Sequence, residues 1–262
     1  MLRMAALWVG RDLPAYCAAC LASFPSRGHP TTLYSYEPVR GVPDTVQNAD
    51  AGGVMSAAVL ERFARAGTYS QFANHFRYEL LAQDDGVCWV DADMYCLRPV
   101  EAEPYIFGWQ DAWLINSAIL ALPAGSAMLG DLRRMYSLPG FIAPWLSWRR
   151  ALLHRGMALI GRPIAPENYS WGVLGPGAVT WYARRHGVER SAKLPAVFYP
   201  IGYREYGKLL DPGFAWAIPP ETRTLHLWNE YLRKSADAKA PPRGSLLWKI
   251  LQNEPLVADA AA

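Results

Sequence analysis

A chain of 262 residues with 26 basic and 23 acidic side chains is close to neutral. Its arginine pairs, Arg133-Arg134, Arg149-Arg150 and Arg184-Arg185, stand apart from one another as solvated helix faces do, so no nucleic-acid partner is expected. No stretch reaches the ~20 apolar residues of a membrane-spanning helix, because the longest apolar segment, 112–124, is broken by Asn116 and Ser117. The first twelve residues hold too short an apolar run for a signal peptide and read as a buried strand. Cys17 and Cys20 form a C-x-x-C inside a helical pattern with no second pair or neighbouring His, which favours packing over zinc, and a reducing cytoplasm is the expected compartment. The 11 Trp and 14 Tyr suit a core and equally suit stacking on a sugar or base.

In chain order, residues 4–9 form an apolar strand ending in Trp8-Val9-Gly10, and a helix over 14–24 follows with proline in its first turn. Gly28-His29-Pro30 breaks the chain before a β-branched and aromatic strand at 31–36. That β-α-β order predicts a parallel pair. Residues 39–53, rich in Gly, Pro, Asp and Asn, read as a loop, and 55–65 as a helix. Tyr69, Phe72, Ala73, Phe76 and Leu80 recur at spacings of three and four, which predicts a helix with one face on the core. After the turn Asp84-Asp85-Gly86, the run Val87-Cys88-Trp89-Val90 is a buried strand that ends at Asp91-Ala92-Asp93. Strands are expected at 105–107 and 115–122, a helix at 125–136, and one or two helices within 144–155. Gly175-Pro176-Gly177 precedes a helix over 178–186 that Gly187 ends. Residues 197–199 and 224–227 are short strand candidates, and Leu246, Leu247, Ile250 and Leu251 mark a small amphipathic helix. Arg243 and Lys249 beside that helix allow a membrane-surface role, packing on the domain being the simpler one. The alternation of elements gives an α/β fold.

The Asp pair is where chemistry is expected. In open α/β sheets, ligands bind at the carboxyl ends of strands, and an Asp-x-Asp there offers hard oxygen ligands to Mg²⁺ or Mn²⁺, which also bridge to diphosphate oxygens. On its own the motif is common, and a solvated loop pair is the plain alternative.

Its context is more specific. Ala73-Asn74-His75-Phe76-Arg77-Tyr78 lies on the helix before the strand, Leu97-Arg98-Pro99 follows the Asp pair, and three distant segments join them: Leu7-Trp8-Val9-Gly10 with Leu13-Pro14, Gly175-Pro176-Gly177 with Thr180, and His226-Leu227-Trp228-Asn229. In this order they resemble the Asp-x-Asp glycosyltransferase family of the yeast initiating α-1,6-mannosyltransferases and the α-1,4-galactosyltransferases, related to the sugar-transfer core of the glucosylating clostridial toxins. The resemblance spans residues 4 to about 233. It implies a GT-A-type nucleotide-sugar-binding fold, with a mixed central sheet flanked by helices, and a Mn²⁺ or Mg²⁺ ion held by Asp93 and His226 with Asp91. Asp91 would also reach the donor ribose. Trp8, with Gly10 closing its strand, would stack on the base; Asn74 and Arg77 would reach the donor's sugar and phosphates; Trp228 would close over the diphosphate; Asn116 would lie beside the transferred sugar. Asp91, Asp93 and Asn116 are thereby the candidate catalytic residues. Taken alone, His226 reads more often as a hydrogen-bonded structural histidine than as a metal ligand, and Arg77 reads also as half of a surface ion pair with Asp84 or Glu79. Two departures stand out: Asn74 replaces the family's Asp, and Asp85 replaces the first Gly of its turn. An amide can still hydrogen-bond a hydroxyl but carries no charge.

The resulting expectation is one domain over 1–262, with a donor-binding half at about 1–123, an acceptor-side half at about 124–233 and a tail at about 234–262. Its activity would be retaining, metal-dependent hexosyl transfer from a nucleotide-sugar, UDP-linked in preference to GDP-linked, to a hydroxyl of a saccharide or glycolipid in polysaccharide biosynthesis. No protein nucleophile is expected; a double displacement would have to use Asp111 or Glu167. The expected setting is cytoplasmic, with at most peripheral contact at the inner face of the membrane. A sugar- or nucleotide-binding module of the same fold is the non-enzyme alternative. A haloacid-dehalogenase-like phosphatase is the rival enzyme, disfavoured because Met94-Tyr95 follow Asp93 where that chemistry wants Thr or Val.

Overall fold

The computed structural model describes residues 1–257. Strand β1 (Arg3–Leu7), helix α1 (Ala15–Ser23) and strand β2 (Thr31–Ser35) form the anticipated crossover. The two strands pair in parallel from Met4 opposite Thr31 to Leu7 opposite Tyr34. Then come β3 (Gln47–Asp50), α2 (Ala57–Arg65), α3 (Tyr69–Leu81), β4 (Val87–Val90) and β5 (Met94–Cys96). Next are β6 (Ile106–Trp109), β7 (Ile115–Ala121), α4 (Ala127–Ser137), α5 (Trp148–Leu159) and α6 (Ala178–Arg185). The chain continues through α7 (Pro195–Phe198), β8 (Thr224–His226), α8 (Asn229–Leu232) and α9 (Leu246–Leu251). Six strands make a mixed sheet in the order β3-β2-β1-β4-β7-β6, and β5 and β8 make a separate antiparallel pair. The α/β class with a mixed central sheet flanked by helices is therefore present. Every residue of β4 and of β7 is buried, as continuous apolar strands of a covered sheet should be.

The chain divides into two compact units. The first takes Met1–Ala49, Val90–Ala102 and the chain from Lys193 onward. In it α1 buries Cys17, Cys20 and Leu21, and α9 buries Leu246, Leu247 and Ile250. The apolar side of α9 is thus in the core rather than available to a membrane. Its start is capped by Ser245, whose hydroxyl accepts from the Trp248 N–H. All four cysteines are free and buried, so Cys17 and Cys20 pack rather than pair.

The second unit takes Asp50–Trp89 and Glu103–Ala192. Helix α3 buries Phe72, Phe76, Leu80 and Leu81, and with them Gln71, Asn74 and Arg77. Those three polar residues recur every third position along one buried ridge. Among the described residues no helix is long and apolar enough to cross a membrane.

Besides β5 and α8, which are not among the expected elements, two elements differ in kind from the reading of the sequence. The polar loop at 39–53 contains β3, whose Gln47–Asp50 sequence lacks β-branched and aromatic residues and is held as an edge strand by the sheet rather than by propensity. The aromatic run at 197–199 belongs to a helical turn, because Pro195 supplies a preset first-turn φ and the Tyr199 N–H returns to the Pro195 carbonyl.

Candidate metal and nucleotide-sugar site

In the first unit, the Asp pair and the distant His-Leu-Trp-Asn segment are joined by two short strands, β8 within the expected 224–227 and β5, which is not among the expected strands. β5 starts directly after Asp93 and β8 ends on His226, and their antiparallel register sets Met94 opposite His226 and Cys96 opposite Thr224. The Leu227 N–H donates to the Asp93 carbonyl at 2.9 Å. The side chain of Asp93 then accepts the Asn229 N–H at 2.6 Å, while its Oδ2 lies 3.1 Å from His226 Nε2. With Asp91, half-buried, this makes a group whose ligand-capable atoms all lie within 4.8 Å of one another.

Electrostatics keep Asp93 ionised. Burial works to raise its pKa, but the His226 imidazole and the Asn229 N–H outweigh it and hold the carboxyl below the ordinary carboxylate range. Burial, together with the Asp93 charge, pushes the Cys17 and Cys20 thiols well above theirs, so no thiolate competes for a cation here. His226 Nδ1 is buried with no hydrogen-bond partner. The other ring nitrogen, Nε2, is the one that faces Asp93, so two carboxylates and an imidazole converge, a donor set that suits a divalent cation.

Trp228 caps α8 with φ 57° and ψ 55°, a left-handed conformation that costs a non-glycine residue about 1–2 kcal/mol. Its ring lies on His226 with centroids 3.9 Å apart, and its indole N–H donates to the Ile201 carbonyl at 2.8 Å. Trp228 is therefore buried as the wall behind the imidazole. At the end of β1, half-buried Trp8 donates its indole N–H to the Asp12 carbonyl at 3.1 Å. The turn back to Asp12 needs φ 129° at Gly10, which a side chain would resist.

In the second unit, Asn74 meets the Gly-Pro-Gly segment so closely that a Cβ on Gly175 would lie 2.6 Å from both Asn74 amide atoms. Tyr78 fixes the same segment by donating to the Leu174 carbonyl at 3.0 Å. Thr180 joins it to β7, accepting from the Ile115 N–H at 2.9 Å and donating to the Pro176 carbonyl at 2.7 Å. Arg77 is buried, donates to the Ser117 carbonyl and lies with its guanidinium 4.7 Å from the Trp89 ring centre. Glu79, the surface partner considered for it, pairs instead with Arg133 at 2.7 Å. Asn116 is buried with both ends of its amide engaged, by Gln110 at 2.7 Å and the Ala118 N–H at 2.8 Å.

The fold thus brings Asp91, Asp93, His226 and Trp228 together, sets Trp8 and Gly10 at the end of β1, and buries Asn74, Arg77 and Asn116 in the other unit. Two participants are not among the site residues expected from the sequence. Asn229 supplies a backbone N–H rather than a side chain to Asp93, and Tyr16 donates to the Asn229 side chain at 2.6 Å from a helix whose pattern reads only as core.

Among solved structures, the chain is similar to PaToxG Glycosyltransferase at 10% identity, with 71% of this chain and 68% of that one covered and a TM-score of 0.49. No protein-family model and no curated protein matches it. The site's own side chains therefore carry the functional argument.

Proposed function

We propose that the protein is a GT-A-type glycosyltransferase that binds a nucleotide-sugar, UDP-linked in preference to GDP-linked, together with Mn²⁺ or Mg²⁺, and passes the sugar with retention to a hydroxyl of a saccharide or glycolipid. The observation that carries this reading is the triad of Asp91, Asp93 and His226, drawn from two segments far apart in the chain and closed by the β5-β8 pair. When bound, the cation would neutralise charge on the departing nucleoside diphosphate. Asp93 and His226 would hold it, with Asp91 serving it and the donor ribose. Trp8 offers a half-buried aromatic surface for the base. Arg77 anchors the backbone of β7 at Ser117, directly after Asn116, and so fixes the strand on which Asn116 would meet the sugar.

Front-face attack, with the leaving phosphate oxygen taking the acceptor proton, needs no protein nucleophile. The two carboxylates that a double displacement would require are otherwise engaged. Asp111 accepts from the Trp113 and Leu114 N–H groups at 2.9 and 3.0 Å, and Glu167 faces Arg62 at 3.3 Å.

The test is a panel of UDP- and GDP-sugars incubated with the full chain, with and without Mn²⁺. Slow release of nucleoside diphosphate and free sugar that depends on the ion supports the transferase. Tight donor binding with no release would indicate a binding module, and phosphate release from unrelated monoesters would indicate a phosphatase.

A further inference from the structure

Helix α5 is built inside out. Its buried residue is His154, and Ala151 and Ala158 share that half-buried side. Its large apolar residues face solvent instead: Trp148, Leu152, Leu153, Leu159 and, one residue beyond the helix, Ile160 are between 59% and 88% exposed. At 100° per residue, Trp148, Leu152 and Leu159 run along one side of this outward stripe and Leu153 and Ile160 along the other. Arg155 and Arg150 flank the stripe, and Arg149 lies within it, with its guanidinium 5.3 Å from the Trp148 ring centre. The surrounding chain is strongly one-signed: between Asp131 and Glu167 there are six arginines, at 133, 134, 149, 150, 155 and 162, and no carboxylate residue. Arg149, Arg150, Arg155 and Arg162 are exposed, and among the described residues none of them is ion-paired with a carboxylate.

A contiguous exposed apolar stripe marks a surface that something covers, and the charge selects what. A second copy would set arginine against arginine, a like-charge juxtaposition that disfavours association. An anionic lipid surface complements the same face: the Leu and Ile side chains enter the headgroup and acyl boundary, Trp148 lies at the interface, and the flanking guanidinium groups meet the headgroup charges.

We propose that α5 is an interfacial helix that docks this protein on anionic membranes. The inference is independent of the proposed sugar transfer. It is tested by floating the full chain with vesicles of phosphatidylglycerol and phosphatidylcholine, or of phosphatidylcholine alone. Binding to the anionic vesicles only is expected, weakening as salt is raised. A Leu152→Ser/Leu159→Ser variant should partition at least about tenfold more weakly, and an Arg149→Gln/Arg150→Gln/Arg155→Gln variant on the order of a hundredfold more weakly. Because these side chains are in solvent, both variants should keep the wild-type circular dichroism. Failure to float with anionic vesicles overturns the proposal, as does flotation that both variants leave unchanged. A concentration-dependent dimer abolished by Leu152→Ser/Leu159→Ser, without vesicle binding, overturns it in favour of self-association.

Discussion

At the scale of single residues, Asp93 has two roles that can be separated. Its Oδ2 faces His226 Nε2 at 3.1 Å, and the carboxylate also accepts the Asn229 N–H. Asp93→Asn preserves a carbonyl oxygen for that N–H while removing the charge, so the fold should survive and Mn²⁺-dependent donor turnover should fall by about a hundredfold or more. Thermal unfolding and a donor-hydrolysis assay on the same sample check both halves. Gly175 makes a sharper structural case. A methyl group there would meet Asn74 at 2.6 Å, so Gly175→Ala should cost about 1–3 kcal/mol in urea unfolding. Pairing it with Asn74→Ser, which shortens the obstructing side chain, should recover part of that loss. Simple additivity of the two substitutions would show that the close approach is not the cause.

At the scale of elements, what was legible divides by the range of the physics. β4, α3 and the β1-α1-β2 crossover announce themselves because an apolar run, a spacing of three and four and a first-turn proline are local signals. β8 falls within the strand candidate at 224–227, but β5 does not announce itself, being three residues long and stabilised by a partner far along the chain. In the sequence the Asp pair and His226 are therefore joined only by the family resemblance, and the β5-β8 ladder supplies the physical link between them. α3 shows the converse: its apolar period was readable, yet the burial of Gln71, Asn74 and Arg77 depends on carbonyls and rings from other elements. In α3, His75 also makes a prediction about pH. It stacks on Tyr136 with centroids 4.0 Å apart, and burial, opposed by Glu79, lowers its pKa to about 4 from an unfolded value of 6.5. The unfolded chain thus takes up the proton first as pH falls. Stability from this group is complete above 6.5 and is lost between 6.5 and 4, by roughly 3 kcal/mol. Denaturation of His75→Phe should show a flatter profile across that window; an equal acid loss in both proteins would remove His75 as its source.

At the scale of the whole molecule, a bound cation links to folding through the unit that carries the triad. If the native chain binds Mn²⁺ and the unfolded chain does not, a free ion concentration of 100 times Kd should add about 2.7 kcal/mol of stability, visible as a rise in Tm and reversed by a chelator. That readout is independent of any donor or acceptor, so it tests the metal apart from the reaction. The most direct measurement is calorimetric titration of Mn²⁺ with UDP present, into the wild-type chain, Asp93→Asn and His226→Ala. One Mn²⁺ site in the wild type, weakened at least about tenfold by either substitution, is the predicted result. Equal Mn²⁺ binding by all three proteins, or none by the wild type, would contradict it.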